Sequence, residues 1–290
     1  MEYKNLTKDQ KIPALGLGTW RMGGGLTADR SNDQKYIEAI RYAVKCGITH
    51  IDTAEIYGAG HTEEIVGEAI NKFDRQKLFI TTKVSPQHLF FPSQIRRSCQ
   101  NSLKRLGLNY IDLYLIHWPN PISPMRAVIS TLDELVKEGK IRYIGVSNFS
   151  ARQLQNAQKY IKNKQSLRSS SFDELRTAGL KIVTNQVHYR LLHREPEKEL
   201  LAYCQKEGII LTAYSPLEIG ELAESEFDAQ ETVAKKYRKT PIQVALRWLI
   251  EKENVIAIPK ASSKPHINEL LGSLGWTLKK EDQEYLSSAF

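Results

Sequence analysis

Four short polar stretches close four successive apolar runs of this 290-residue chain: DTAEIYG from Asp52, TTKV from Thr81, IHWP from Ile116 and GVSNF from Gly145. Within them Asp52, Tyr57, Lys83 and His117 supply a carboxylate, a phenol, an amine and an imidazole, the groups that deliver a proton to a carbonyl oxygen. An ammonium beside a phenol favours the phenolate, so Lys83 is expected to lower the Tyr57 pKa from its reference of about 10. An aspartate beside that lysine keeps it charged. His117 can hydrogen-bond a substrate oxygen as a neutral imidazole, with Trp20 and Trp118 as apolar walls. Each residue also has an ordinary explanation: a helix cap or ion-pair partner for Asp52, a surface position for Tyr57, a solvated Lys83, a satisfied polar His117. Their joint arrival at the ends of consecutive apolar runs favours one shared site over four accidents.

The elements that must position these groups alternate strictly. Apolar runs predict strands over 15–18, 48–52, 78–84, 111–116, 142–146, 182–186, 209–213 and 255–258, with helical patterns between them. In PMRAVISTLDELVKEGK, Val128, Leu132, Leu135 and Val136 recur at helical spacing, and Gly139 supplies the stop before the next run. Eight β/α units with long crossovers close most naturally into a parallel (β/α)8 barrel in a single domain, residues 1–290. A doubly wound open sheet competes, but it needs a phosphate-binding glycine loop after its first strand. Gly16-Leu17-Gly18 is followed by Thr19, Trp20 and Arg21, so the third glycine is missing. Residues 3–14 predict a short N-terminal β-hairpin plugging the barrel floor, and 162–181 reads as an insertion.

Composition narrows the partners. Hydrophobic residues at 41% and charged ones at 26% describe a soluble globular protein. The net charge of +8 comes from basic residues scattered among acidic ones, so no nucleic-acid partner is expected. Cys46, Cys99 and Cys204 are widely spaced, with neither a CxxC pair nor a disulfide framework, which fits a reducing cytoplasm and no metal site. MEYKNLTKDQ lacks an apolar signal core, and no run reaches the roughly 20 residues that span a bilayer. The expectation is a cytoplasmic monomer or weak dimer without membrane contact, acting on a small-molecule carbonyl substrate.

The ordered set GLGTW, DTAEIYG, LFITTKV, DLYLIHWP, IRYIGVSNFS, NQVHY, AYSPL and IPKAS resembles the aldo-keto reductase superfamily, from Leu15 to about Gly272. The resemblance implies an NAD(P)H-dependent carbonyl reductase with Tyr57 as general acid, Asp52 and Lys83 tuning it and His117 orienting the carbonyl. It further implies that Ser147, Asn148 and Gln186 hold the nicotinamide carboxamide and that Tyr214 stacks on the ring. Ser215 and Leu217 would lie along the cofactor, and Ile258, Lys260, Ser262 and His266 would form the adenosine-phosphate end, with Lys260 and Ser262 gripping a 2′-phosphate. NADP is the implied cofactor, with NAD possible, because His266 and Leu270 stand where many relatives carry arginine and asparagine. Asn148 could instead cap the following helix. The acidic loop after AYSPL is expected to turn Glu218 and Glu221 to solvent. The short segment after the last helix implies an open pocket that suits small aldehydes better than steroids. Two other classes remain: a non-catalytic, cofactor-sensing subunit acting as an interaction module, and a lyase or isomerase in which Lys83 forms a Schiff base.

Overall fold

The apolar runs become strands and the amphipathic stretches become helices in the computed structural model, which describes residues 1–166, 180–217 and 228–289. A hairpin of β1 (Tyr3–Asn5) and β2 (Lys11–Pro13) comes first. Eight parallel strands follow: β3 (Leu17–Gly18), β4 (His50–Asp52), β5 (Phe79–Val84), β6 (Ile111–Ile116), β7 (Ile141–Ser147), β8 (Ile182–His188), β9 (Ile210–Tyr214) and β10 (Val255–Ile258). Each pairs with its neighbours in sequence, and the last returns to the first. Leu15 bridges Ala257 in parallel, Gly16 N donates to Ala257 O at 2.9 Å, and Gly18 N donates to Pro259 O at 2.9 Å. A Cβ on Gly18 would stand 2.7 Å from Ile258 O, so only glycine allows this closure.

The helices are α1 (Asp33–Lys45), α2 (His61–Ile70), α3 (Pro92–Leu106), α4 (Met125–Lys137), α5 (Ala151–Ser166), α6 (Leu200–Glu207), α7 (Asp228–Tyr237), α8 (Pro241–Glu251), α9 (Lys264–Leu271) and α10 (Lys280–Ser288). On α4 the expected stripe is buried through Val128, Leu132 and Leu135, and Gly139 turns the chain with a φ of 67°. The insertion expected at 162–181 lies mostly outside the described residues. Among those residues no helix is long and apolar enough to cross a membrane, and all three cysteines are free.

Two apolar layers divide the molecule. The larger one lies between strands and helices; the smaller fills the barrel with Phe79, Leu113, Leu115, Val183, Ile210 and Ile256. Leu6 and Ile12 of the N-terminal hairpin belong to this inner cluster, so the hairpin does plug the floor. The period of two in a strand then decides what rises above it. On β5, Phe79 joins the floor, Thr81 meets His50 and Lys83 reaches Asp52, all on one face. Apolar residues thus pack the bottom and ionisable ones emerge at the C-terminal end. The pairing of β7 with β8 shifts register between Ile144 and Val146, just below Ser147. Such irregularities re-aim side chains beside functional sites.

His50 makes this interior sensitive to acid. Its Nε2 lies 3.0 Å from Thr81 Oγ1, and burial, with Lys83 adding to it, pushes the imidazole down to about 3. An unfolded chain protonates the same ring near 6.5. The folded-state value is the depressed one, so this contribution to stability is present above about pH 6.5 and lost as pH falls through that value toward the folded pKa. One group contributes a slope of about 1.4 kcal/mol per pH unit inside that window. Urea unfolding of His50→Gln is therefore expected to depend less on pH between about 4 and 6 than the wild type, and equal slopes would show that His50 is not the sensor.

Candidate active site

The mouth of the barrel is built from strand ends. Asp52 ends β4, Lys83 is the penultimate residue of β5, and His117 follows β6, where its N–H donates to Val84 O at 3.0 Å. Tyr57 opens a tight turn, Tyr57–Gly60, in which Gly58 and Ala59 take left-handed φ values of 56° and 52°. Gly58 N donates to Gly25 O at 2.6 Å, so this turn folds back over the barrel against the loop that follows β3.

These four side chains meet. Lys83 Nζ donates to Asp52 Oδ1 at 2.5 Å and to Thr53 O at 2.7 Å, and lies 3.4 Å from Tyr57 Oη. Asp52 Oδ2 accepts from Gln186 Nε2 at 2.8 Å, so both carboxylate oxygens are engaged and Asp52 caps no helix. The Tyr57 ring sits 5.7 Å from His117, edge to face, and 4.7 Å from Trp20. Trp118, by contrast, stands 50% exposed at the rim.

Burial decides the protonation states. Taken alone it would lower the Lys83 ammonium, but Asp52 and Tyr57 reverse that and hold it above the ordinary lysine value. Tyr57 departs from expectation. Burial raises its phenol above the usual range and Asp52 adds to that, while the opposing pull of Lys83 is too weak to win. The shift is thus upward where a lowered value is expected, and the phenol stays protonated in the folded chain. His117 follows the expectation: burial, helped by Lys83, pushes it down to about 3, so the ring is neutral. Its Nδ1 is buried without a hydrogen-bond partner among the described residues.

A second group of polar side chains adjoins the first. Asn148 adopts a φ of 62°; its Nδ2 donates to His117 O at 3.1 Å and Ser147 Oγ at 3.0 Å, and its Oδ1 accepts from Tyr214 Oη at 2.9 Å. Ser147 Oγ donates to Gln186 O at 2.9 Å. The capping role belongs to Ser150, whose Oγ accepts from Gln153 N at 3.3 Å, so Asn148 is not a helix cap. A left-handed asparagine held by three neighbours is the kind of local strain that marks a working site.

At the end of β10, Lys260 carries a different signature. Partial burial, with the charges of Arg21 and Lys35 nearby, holds its ammonium below the usual lysine value. Lys260, Arg21 and Lys35 are all exposed cations within electrostatic reach of one another, a grouping that suits a phosphate. Ser263, not Ser262, caps α9, accepting from His266 N at 3.4 Å, and His266 is exposed on the first helical turn. Ser262 is half-buried, Ile258 is buried, Ser215 is exposed and Leu217 packs partly against the core. Leu270 turns into the core at 2% exposure and so offers nothing to an adenine. Glu218 and Glu221 lie outside the described residues.

Glu55 escaped the sequence reading. Its Oε1 accepts from Ser85 N at 2.6 Å and lies 2.9 Å from His88 Nδ1, while Ser98 Oγ donates to Oε2 and contacts Tyr114 Oη at 3.0 Å. This carboxylate ties the Tyr57 loop to the loop after β5 and to α3. A glutamate within DTAE gives no local sign of such a role, because every partner lies 30 or more residues away. Arg21 and Lys35 were equally unmarked. An arginine at a φ of 63° in the turn after β3 is the one backbone signal, and it exists only in three dimensions.

The closed barrel and the ionisable cluster at its mouth place the chain in the class of (β/α)8 oxidoreductases. More narrowly, it belongs to the aldo/keto reductase family, whose family model matches residues 14–289. It is 33% identical over 285 residues to the methylglyoxal reductase YeaE of Escherichia coli, covering 97% of this chain and 92% of that one. Among solved structures it resembles a thermostable aldo-keto reductase in complex with the inhibitor epalrestat, with a TM-score of 0.90, 44% identity and full coverage of both chains. An aldo/keto reductase from Klebsiella pneumoniae, in complex with NADP and acetate, matches with a TM-score of 0.79 and 34% identity over 96% of this chain and 91% of the other.

Proposed function

We propose that this protein reduces aldehydes and ketones to alcohols with NADPH, Tyr57 delivering the proton. The observation that carries the reading is the chain from buried Asp52 through buried Lys83 to half-buried Tyr57, beside a neutral His117. A protonated phenol held beside an ammonium is a loaded acid. Lys83, 3.4 Å from Tyr57 Oη, stabilises the phenolate left behind once the proton has gone, and Asp52 keeps Lys83 charged for that task. His117 orients the substrate oxygen: among the described residues no acceptor draws its single proton to Nδ1, so Nε2 is able to carry it.

The residues present also fit the cofactor. Amide and hydroxyl groups of Ser147, Asn148 and Gln186 suit a neutral carboxamide, the Tyr214 ring suits a flat heterocycle, and Lys260 with Arg21 and Lys35 suits a 2′-phosphate. When bound, that cofactor supplies the hydride. The neighbour with NADP and the relative named for methylglyoxal support this choice and a short aldehyde or dicarbonyl as substrate. The Schiff-base alternative is disfavoured, because an ammonium paired with Asp52 is no nucleophile. A non-catalytic subunit would have no need to hold all four groups in register.

A panel of short aldehydes assayed with NADPH and NADH tests the proposal. One alcohol is expected per reduced cofactor consumed, faster with NADPH, and Lys260→Ala should remove most of the preference by raising KM for NADPH alone. No turnover of any aldehyde would leave the cofactor-sensing alternative standing.

A further inference from the structure

Tyr214 does not stand alone at the mouth. It ends β9 in register with His188, the last residue of β8, and the two rings lie nearly parallel, 5.6 Å apart with 15° between their planes. Beyond His188 comes a third ring. His193 stacks on it at 4.3 Å and 16°. The chain reverses to bring it there: Arg190 N donates to His193 O at 3.2 Å and His193 N donates to Arg190 O at 3.0 Å. Tyr189 and Leu191, both fully buried, anchor this reversal in the core.

We propose that His188 and His193 form a stacked buttress that fixes the plane of Tyr214, leaving its ring one defined face for the nicotinamide. The inference rests on Tyr214 being the stacking residue of the proposed cofactor site. The ring is gripped in two ways: its hydroxyl donates to Asn148 Oδ1 at 2.9 Å, which fixes its edge, and His188 supports its plane. An edge contact alone leaves the ring free to tilt; a packed face removes that freedom. Burial, with His193 and Arg190 adding to it, pushes His188 down to about 4, so the ring that faces Tyr214 is neutral at neutral pH. Neutral, offset aromatic pairs at these separations attract one another. His188 and His193 are positioning residues, since neither is required to touch substrate or cofactor.

Shape and aromaticity separate this role from plain core filling. His188→Leu keeps bulk without a π face, and NADPH binding followed by protein fluorescence is expected to weaken by about two- to tenfold, the worth of one aromatic pair. KM for NADPH should rise with it while kcat changes little. His188→Phe should restore both values to within about twofold. In a Tyr214→Ala background, which should itself weaken NADPH binding, His188→Leu should have no further effect, because the ring it supports is gone. Equal behaviour of the Leu and Phe variants, or an undiminished His188→Leu effect without Tyr214, overturns the buttress while leaving Tyr214 in its role. Unchanged NADPH affinity in Tyr214→Ala alone overturns both the buttress and that role.

Discussion

Tyr57→Phe is expected to lower kcat for carbonyl reduction on the order of 10²-fold or more while NADPH affinity stays within about twofold. The packing of the ring survives the change, because phenylalanine keeps the contacts with Trp20 at 4.7 Å and His117 at 5.7 Å. Only the hydroxyl and its 3.4 Å approach to Lys83 are lost. A fall of this size is about 2.7 kcal/mol of transition-state stabilisation, within the range assigned to one positioned acid. A loss confined to kcat, with cofactor titrations unchanged, identifies the hydroxyl as the proton source. Retention of more than half the wild-type kcat would exclude it.

Lys83→Met should damage both fold and chemistry. The lysine is fully buried and, among the described residues, its partner Asp52 would retain only Gln186 as a side-chain donor. Removing one member of a buried pair typically costs about 3–5 kcal/mol, so a lower thermal midpoint is expected. For the reaction the sign follows from Tyr57: Lys83 is the main influence pulling the phenol down, and without it the pKa rises further. Reduction requires the protonated phenol and is lost as pH rises through its pKa, so the alkaline limb of the surviving activity should move to higher pH. The double variant Lys83→Met with Asp52→Asn separates the two effects. Stability should return, because no buried charge is stranded, but activity should not. An unshifted limb at measurable activity would mean that Lys83 does not act through Tyr57.

Periodicity explains how much of this was readable beforehand. Apolar runs of four to seven residues must be buried on both faces in a parallel barrel, so all eight strands stood out, and their polar ends marked Asp52, Lys83 and His117. Boundaries drifted where polar residues continue a strand: Ser147 ends β7 and His188 ends β8, both beyond the apolar run that announces the strand. The direction of the Tyr57 pKa shift departs from expectation for a different reason. Residue types reveal that a lysine is near, but the outcome depends on how completely the phenol is withdrawn from water, which only the packed site settles. Glu55, Arg21 and Lys35 were hidden because their partners come from distant elements. The His188 column was hidden too, since its rings meet through strand register and a chain reversal that the NQVHYRLLHR segment does not announce.

The most direct test uses NADPH carrying deuterium at both C4 positions of the nicotinamide, incubated with the protein and a short aldehyde in ordinary water. If the site works as described, the alcohol formed carries one deuterium on its carbinol carbon, because the hydride comes from the cofactor while the proton comes through Tyr57 from exchangeable groups. The Tyr57→Phe protein should give the same labelled product at about a hundredth of the rate or less. Alcohol without deuterium, or cofactor consumed with no alcohol formed, would contradict the account.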